Sequence, residues 1–412
     1  MSGLVSADAS AGVEGFSAGA SRGSGSMKLL SKQVFLRHQN KRPPASGFVT
    51  YISATRPVLM HCHGWEDCSD GYDDYSVSVS DDNGNTWSVE EVRWKSRLVP
   101  EGRIRYAEPA AFFDPDREKL IVLIDQTLYP KDKLNADADY ALVMEVYDPR
   151  TRTWSERREL KFPGQRSPAL SFTFPIKTSR GRLLFPGMRK TVDASGKAIH
   201  FKNGWAPVDE VVTVIGEYGA GGELAWHLGK PLNIAPEISS RGLDENTLTE
   251  LPDGRIAAVC RGDNSAFPDK PGYKWLSFSR DDGETWSAPV PCPATGGEPI
   301  ESGANGSALF RSIKNGRLYW MGNLAVRGER ADGNRRRSPP VIAEVQEEPF
   351  ALKREHTSRR YDSLGVLTHV LIACVADVAV CFREGSHNQT LDRRTPKGIQ
   401  LPTPMKLRLW PR

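Results

Sequence analysis

The sequence lacks a marked excess of charge of either sign. Its 412 residues include 55 Lys and Arg and 51 Asp and Glu, a net charge of +4, and the two signs are interspersed. Nucleic-acid binding requires a clustered basic face, so we expect no nucleic-acid partner. Long apolar runs are also lacking. The longest, Val366 to Phe382, is interrupted by His369 and Asp377 and is too short for a membrane span, so we expect no membrane partner.

Cysteine is scarce, with six residues, which excludes a disulfide framework. Four residues of metal-binding type nevertheless lie close together: His61, Cys62, His63 and Cys68. In a strand, His61 and His63 would share one face while Cys62 pointed to the other, and no second ligand pair follows at the spacing of a zinc finger. We therefore expect neither a metal nor another cofactor.

The first 26 residues are small and polar. Neither they nor the segment after Met27 contain the apolar stretch of a signal peptide. This composition predicts a disordered leader over residues 1–30. A cytoplasmic location is then the default expectation, and the sequence indicates no oligomeric state.

Short runs of alternating apolar and polar residues dominate the chain, and Gly, Asp, Asn and Pro separate them. A period of two predicts strands. The clearest runs are 75–80, 119–125, 138–147, 181–187, 210–218, 254–260, 316–322 and 339–345. Long stretches with a helical period are nearly absent, so we expect an all-β protein.

One turn pattern, Ser-x-Asp-x-Gly-x-Thr-Trp, occurs twice. The copies are Ser80, Asp82, Gly84, Thr86 and Trp87, and Ser279, Asp281, Gly283, Thr285 and Trp286. The aspartate can accept hydrogen bonds from its own loop, and the glycine can adopt φ > 0. With Trp154, Trp226 and Phe350, the aromatic residues recur at intervals of 67, 72, 60 and 64 residues. A unit of about 65 residues with four short strands predicts a propeller blade.

The repeated turn is the Asp box, and with it the chain resembles the sialidase superfamily of six-bladed β-propellers over about residues 45–355. The resemblance implies such a propeller over residues 31–360, with the boxes on the outer rim, away from the active centre. It also implies three arginines for a substrate carboxylate, since a guanidinium donates two parallel hydrogen bonds and keeps its charge. A tyrosine would be the nucleophile, a glutamate its base, and an aspartic acid the acid/base.

The strongest local evidence for a site is the segment 244–264. Its Pro-Asp-Gly at 252–254 predicts a three-residue hairpin loop. Such a loop pairs residues whose numbers sum to 506 and sets Glu245 opposite Arg261 at the open end of the hairpin. In the resembled superfamily a glutamate precedes this turn and the second arginine follows it, so Glu245 is the predicted base and Arg261 a predicted carboxylate ligand. The alternative is a cross-strand ion pair on the surface.

The other two arginines rest on weaker patterns. Arg337, which ends a run of three arginines before a strand, is the predicted third arginine, and a solvated loop is its alternative. Arg42, in the context Arg-Pro-Pro-Ala, is the predicted first arginine. Arg56 and Arg105 compete with it, and otherwise they would be turn and surface residues.

Asp67 and Asp70, in the loop before the first box, are the candidate acid/base residues. Tyr361 is the predicted nucleophile, because the context "RRYDSLG" resembles the Tyr-Ser-Asp-Leu of the superfamily with two residues exchanged. A buried or capping tyrosine is the alternative. The blade pattern fails from about residue 357 onward. Residues 361–412 are therefore expected to form an irregular last blade or, if the reading frame changed here, an aberrant tail.

Three functions fit these features. The first is a retaining, exo-α-sialidase-like glycosidase that removes terminal sialic acid or a related acidic sugar from glycans. The second is an Asp-box lyase or hydrolase of uronic-acid polysaccharides, in which His200, His227 or a tyrosine would transfer the proton. The third is a non-catalytic propeller that binds glycans or proteins. A fold alone does not separate them. We favour the first, with a glycan or small acidic sugar as the partner.

Overall fold

The computed structural model of the protein describes residues 36, 42–68, 70–171, 173–312, 315–325, 333–334 and 340–353, and two strands at 367–373 and 379–384. All regular elements within these ranges are strands, and none of the described residues lies in a helix. The all-β prediction is therefore confirmed. It follows that the described ranges include no helix long and apolar enough to cross a membrane.

The first three sheets are antiparallel and follow chain order. The first contains β1 (Pro44–Tyr51), β2 (Leu59–Cys68), β3 (Gly71–Ser80) and β4 (Glu91–Trp94). The second contains β5 (Arg97–Val99), β6 (Gly102–Asp114), β7 (Lys119–Pro130), β8 (Tyr140–Asp148), β9 (Thr153–Trp154) and β10 (Arg158–Leu160). The third contains β11 (Ala169–Leu170), β12 (Ile176–Lys177), β13 (Leu183–Lys190), β14 (Asp209–Tyr218) and β15 (Leu224–Leu228).

Two further four-stranded sheets and one strand pair complete the described structure. The fourth sheet contains β16 (Asp244–Glu250), β17 (Ile256–Arg261), β18 (Lys274–Ser279) and β19 (Val290–Pro291). The fifth contains β20 (Ala308–Arg311), β21 (Leu318–Asn323), β22 (Pro340–Glu347) and β23 (Phe350–Leu352). The pair consists of β24 (Leu367–Ala373) and β25 (Ala379–Glu384). Each strand run predicted from the alternation overlaps one of these strands.

The sheets are arranged as the blades of a propeller. Strand β1 lies next to β6 of the second sheet and next to β24 of the strand pair, and β16 lies next to β13 and β20 of the neighbouring sheets. Each of the five sheets thus stands beside the next, and the strand pair lies beside the first. The count of six blades stays a prediction, because the last unit has two strands in the described chain. The predicted leader, residues 1–30, lies outside the described residues.

The hydrophobic core lies between the sheets. Four apolar clusters join the first sheet to the second, the second to the third, the third to the fourth and the fourth to the fifth. Trp94 and Trp320 are fully buried in two of these clusters, and Phe185 is fully buried in a third. Each sheet therefore buries its faces only against its neighbours, which is why the repeated unit is stable as part of a ring.

Both copies of the repeated turn form the same hydrogen-bond pattern. In the second copy, Ser279 Oγ accepts from Gly283 N at 2.8 Å, and Asp281 accepts from Thr285 N at 2.9 Å and from Thr285 Oγ1 at 2.5 Å. The first copy repeats these bonds at 2.7, 2.8 and 2.7 Å. Bonds from the Thr86 hydroxyl and amide to Asp82 lower the pKa of that carboxyl to about 2. Gly84 and Gly283 have φ of 82° and 86°, so each turn requires its glycine.

Asp281→Ala is expected to destabilise the protein by about 2 kcal/mol, and Asp82→Ala to destabilise it less. The second turn is the more buried: a Cβ at Gly283 would lie 3.2 Å from Thr213 Cγ2 of the third sheet, so water cannot easily replace the lost acceptor. Urea unfolding at pH 7 measures both changes. Asp81→Ala, which removes an exposed ion pair with Arg152, is the control. Equal losses in all three variants would contradict a bonding role for the box.

Candidate active site

A cavity of about 980 Å³ opens at one end of the propeller. Its walls come from the β2–β3 turn, the β7–β8, β13–β14 and β17–β18 loops, and the segment before β16. The Asp boxes lie in the β3–β4 and β18–β19 loops. Successive loops of an antiparallel sheet alternate between its two ends, so the boxes lie at the end opposite the cavity.

Charged side chains dominate this cavity. Six are acidic and five are basic: Asp70, Glu108, Asp209, Asp244, Glu245 and Asp263, and Arg189, Lys190, Lys202, Arg241 and Arg261. Tyr72, Tyr129 and Tyr140 also line it. A cavity of this size, with convergent polar groups of both signs, is the best candidate for a ligand site in the described chain.

The predicted hairpin positions Glu245 and Arg261. Leu251 N donates to Arg255 O at 2.8 Å, and the pairing follows the sum of 506 from Glu250 to Thr247, as predicted. A β-bulge follows, so Arg261 is paired with residue 244, one position from the prediction. Glu245 is the bulged residue and has a φ of 29°, a strained value for a residue with a side chain.

Glu245 and Arg261 form a buried ion pair within the cavity wall. Arg261 Nη1 donates to Glu245 Oε1, and its Nη2 donates to Asn334 Oδ1 at 3.0 Å. The two side chains are buried, so the alternative of a surface ion pair is wrong. Burial alone would lower the pKa of Arg261, but Glu245, Asp244 and Asp263 together raise it above its usual value. Arg261 is therefore a permanent cation at the base of the cavity.

Arg241 bridges two further carboxylates beside this pair. Its Nη2 lies 3.3 Å from Asp209 Oδ2 and 3.3 Å from Asp244 Oδ2. Burial, and then the nearby charge of Asp244, raise the pKa of Asp209 to about 7, although Arg241 and Lys190 act in the opposite direction. Asp209 is therefore a group of the cavity that changes its charge near neutral pH.

Asp209→Asn is expected to stabilise the protein at pH 8 and to change its stability little at pH 4. The native state keeps the Asp209 proton up to about pH 7, whereas an unfolded aspartic acid loses it near pH 4. Native Asp209 binds the extra proton, so stability falls as the pH rises from about 4 to 7, and asparagine removes this loss. We expect a gain of about 2 kcal/mol at pH 8 in urea unfolding, half of what three pKa units represent. A gain that is the same at pH 4 and pH 8 would contradict this assignment.

Glu108 occupies a second bulge on the cavity wall. The pairing of β6 with β7 is interrupted between Ala107 and Ala110, and Glu108 has a φ of 52°. Tyr72 Oη lies 3.4 Å from Glu108 Oε1. Burial, and then the carboxylates of Asp125 and Glu245, raise the pKa of Glu108 well above its usual value. Burial and the neighbouring carboxylates therefore favour the protonated form of Glu108.

The structure separates the two predicted acid/base residues. Asp70 lines the cavity, and Tyr129 Oη donates to its carbonyl oxygen at 2.8 Å. Asp67 lies instead between Arg42 Nε at 2.7 Å and Arg105 Nη1 at 2.8 Å. These three residues belong to a closed ring of six ionic side chains: Arg42, Asp67, Arg105, Asp132, Arg103 and Asp73.

None of the six ring residues lines the cavity. Arg42 is therefore not brought together with Arg261, and its role as a carboxylate ligand stays a prediction, as does a catalytic role for Asp67. Of the two competing arginines, Arg56 is an exposed turn residue, as the alternative interpretation predicted. Arg105 is only 5% exposed, so the expectation of a surface residue was wrong. Asp67 and Asp132 hold it, which raises its pKa against the effect of burial.

Two predicted site residues, Arg337 and Tyr361, lie outside the described residues. The chain just before Arg337 does reach the cavity: Asn334 accepts from Arg261, and Gly333 N donates to Asn264 Oδ1 at 2.8 Å.

The two histidines considered for proton transfer, His200 and His227, lie outside the cavity lining. His200 forms hydrogen bonds with Gly204 O and Asp137 Oδ1, each at 2.8 Å. His227, on β15, forms a hydrogen bond with Glu284 Oε1 at 2.8 Å. His61 and His63 share one face of β2, as predicted, with stacked rings 5.0 Å apart. In the described chain, no group of three or more His, Cys, Asp or Glu side chains is arranged to hold a metal.

Sequence reasoning missed Glu108, Asp209 and Arg241. Glu108 had a signal: it is the one charged residue in the stretch 106–113 of β6, which is otherwise aromatic or aliphatic. Asp209 and Arg241 had none, since an aspartate at the start of a strand and an arginine in a loop are ordinary surface choices. Their role in the cavity depends on the folded chain, in which Arg241 lies between Asp209 and Asp244.

The fold and the cavity define a class of protein: an antiparallel propeller with a charged cavity at the end opposite its repeated turns. A BNR repeat-like domain matches residues 65–342, more than half of the chain. The chain belongs to this family. Among curated proteins, none matches the chain.

Solved structures with a similar fold include sialidases. The Hadza microbial sialidase Hz136 is 16% identical with a TM-score of 0.56, over 83% of this chain and 63% of that one. NanB, in a structure with Optactamide, is 13% identical with a TM-score of 0.56, over 86% and 67%. A protein of unknown function from Dyadobacter fermentans DSM 18053 is 13% identical with a TM-score of 0.57, over 87% and 95%. The chain thus spans less than two thirds of the Hadza sialidase. At these identities the likeness shows the fold, a sialidase-like propeller.

Proposed function

We propose that the protein is a retaining exo-glycosidase that removes a terminal sialic acid, or a related acidic sugar, from glycans. The observation that carries the proposal is the buried pair of Glu245 and Arg261 in the wall of the cavity. A buried arginine that stays cationic can bind a sugar carboxylate, and a glutamate beside it can take a proton from a nucleophile.

Carboxylate binding is assigned to Arg261, with Arg42 and Arg337 as the predicted partners. Arg241 is a fourth candidate, since it lines the cavity beside Arg261 and shares Asp244 with it. The charge of the cavity supports a weakly acidic working pH. Six acidic and five basic side chains line the cavity, and protonation of Asp209, whose pKa is raised to about 7, brings the two signs into balance. An anionic ligand is better accommodated in that state.

The proposed reaction uses Tyr361 as the nucleophile and Glu245 as its base. The tyrosine oxygen attacks the anomeric carbon while its proton passes to Glu245 and the glycosidic bond breaks. Asp70 gives a proton to the departing glycan oxygen. It then accepts a proton from the water that attacks the anomeric carbon, while the tyrosine oxygen leaves and takes its proton back from Glu245. The position of Asp70 in the cavity wall supports its choice over Asp67. Tyr72 also lines the cavity, but burial and Glu108 raise the pKa of its phenol, which opposes its use as a nucleophile.

The test is the release of 4-methylumbelliferone from three substrates by the purified protein at pH 6: the α-sialoside, the β-glucuronide and the β-galactoside. We expect the wild-type protein to hydrolyse the sialoside alone. The Tyr361→Phe variant is expected to lose this activity completely, and Tyr72→Phe to retain it in full. Turnover of the glucuronide alone would overturn the sialic-acid assignment in favour of a uronic acid. Turnover of none, from protein with an intact β circular dichroism spectrum, would overturn the assignment as an enzyme.

A further inference from the structure

One tryptophan that lines the cavity has no packing or hydrogen-bonding role in the described chain. Trp205 is 67% exposed, whereas the other tryptophans of the described chain are buried or half-buried. It is also the one exposed large hydrophobic residue of the described chain that lines the cavity. No hydrogen bond or ring contact joins its indole to another described residue. Exposing most of an indole to water is unfavourable. A ligand that covers the indole of Trp205 would explain its exposure.

The loop that holds Trp205 is held in place on the N-terminal side of the tryptophan. Gly204 N donates to Phe201 O at 3.0 Å, and Lys202 and Asn203 have φ of 47° and 57°, which makes a tight turn directly before the tryptophan. His200 then fixes this turn to the β7–β8 loop through Gly204 O and the carboxylate of a residue in that loop, each at 2.8 Å. These bonds raise the pKa of His200. The indole is therefore presented on an ordered support, which reduces the entropy lost on binding.

The surroundings of Trp205 differ from the base of the cavity. Apolar side chains from three loops line this side: Leu134, Ala136, Phe201, Pro207, Ala266 and Pro268. We call them the apolar rim. The rings of Phe201 and Phe267 lie 5.8 Å apart and join two of the loops, and Lys202 Nζ lies 3.8 Å from the Phe267 ring. The loops around Trp205 thus contribute an aromatic and aliphatic surface, whereas Asp244, Glu245 and Arg261 line the cavity from β16 and β17.

We propose that Trp205 is the platform of a second sugar subsite, which binds the neutral pyranose that follows the acidic sugar in a glycan. A pyranose ring has one apolar C–H face, which packs on an indole, and a polar edge, which stays in water or bonds to the rim. The cavity of about 980 Å³ lies at the upper end of the range for ligand sites and has room for more than one sugar ring. Lys202 is a cation beside the rim, but the rim itself offers a second carboxylated sugar no guanidinium, so a neutral ring fits it better.

The inference rests on the proposed function only for the acidic sugar, so binding and hydrolysis are measured separately. In the binding experiment, saturation-transfer NMR with lactose, a neutral disaccharide, reports contact with the protein. We expect a lactose signal with the wild type, its loss in Trp205→Ala and its retention in Trp205→Phe. Ile199→Ala, which removes another exposed apolar residue of the same loop that does not line the cavity, is the matched control.

The kinetic experiment compares sialyllactose with the methyl sialoside, which lacks the second ring. Trp205→Ala is expected to raise KM for sialyllactose about tenfold, the equivalent of one stacked ring, with kcat and the KM for the methyl sialoside unchanged. An equal change for both substrates, or a lactose signal that survives in Trp205→Ala, would overturn the subsite. A lactose signal that depends on Trp205 in a protein without hydrolase activity would support the subsite and overturn only the proposed function.

Discussion

Arg261→Ala is expected to abolish measurable hydrolysis of an acidic sugar glycoside, with a fall in kcat/KM on the order of 10³-fold or more. The same change is expected to destabilise the protein by about 3–5 kcal/mol, because Glu245 would remain buried without its cation and Asp244 would keep only Arg241. Activity is measured on the 4-methylumbelliferyl sialoside and stability by urea unfolding, each at pH 6.

Two further variants separate the two effects of Arg261→Ala. Arg261→Lys keeps the charge but loses the bidentate hydrogen bonding of the guanidinium. We therefore expect the variant to fold while its KM rises at least tenfold. Arg255→Ala alters the same hairpin at its other end, where the arginine pairs with Asp253 and Glu348 outside the cavity. It is expected to retain full activity. Loss of activity in Arg255→Ala equal to that in Arg261→Ala would mean that the hairpin, rather than the guanidinium, is required.

Glu245→Gln is expected to lower kcat on the order of 10³-fold while KM changes less than threefold. Glutamine keeps the shape and the bond to Arg261 but cannot take a proton. Asp244 Oδ2, 3.7 Å from Arg261 Nη1, remains as a counter-charge, so the variant is expected to fold. The comparison is with Glu250→Gln at the far end of the same strand, where the carboxylate bonds Ser179. Steady-state kinetics of both variants on the sialoside check the result, and a Glu245→Gln variant with wild-type kcat would exclude this residue as the base.

The local order of the chain could be predicted from the sequence, because it depends on neighbouring residues. Alternation located the strands, and the Pro-Asp-Gly turn set the register of β16 and β17 as far as Thr247. The bulge that follows was missed. It places Glu245, a residue that disfavours positive φ, at 29°, and no local pattern marks such a position.

The cavity could be predicted only in part, because its electrostatics join distant segments. Four aspartates stand within nine residues before the first box, and the sequence offered no basis for choosing among them. The structure makes the distinction through arginines from another sheet, since Arg105 of β6 holds Asp67 and leaves Asp70 in the cavity wall. Likewise, the raised pKa of Glu108 depends on burial and then on the charges of Asp125 and Glu245, which meet it only after folding.

The central claim is that the cavity binds a sugar through its carboxylate. The most direct test is isothermal titration calorimetry of the wild-type protein with 2-deoxy-2,3-didehydro-N-acetylneuraminic acid and with its methyl ester, which differ only in that charge. We expect the acid to bind about 100-fold more tightly than the ester, since a charged hydrogen-bonded pair contributes about 1.5–3 kcal/mol. Equal affinity for the two compounds, or no binding of either by folded protein, would contradict the claim.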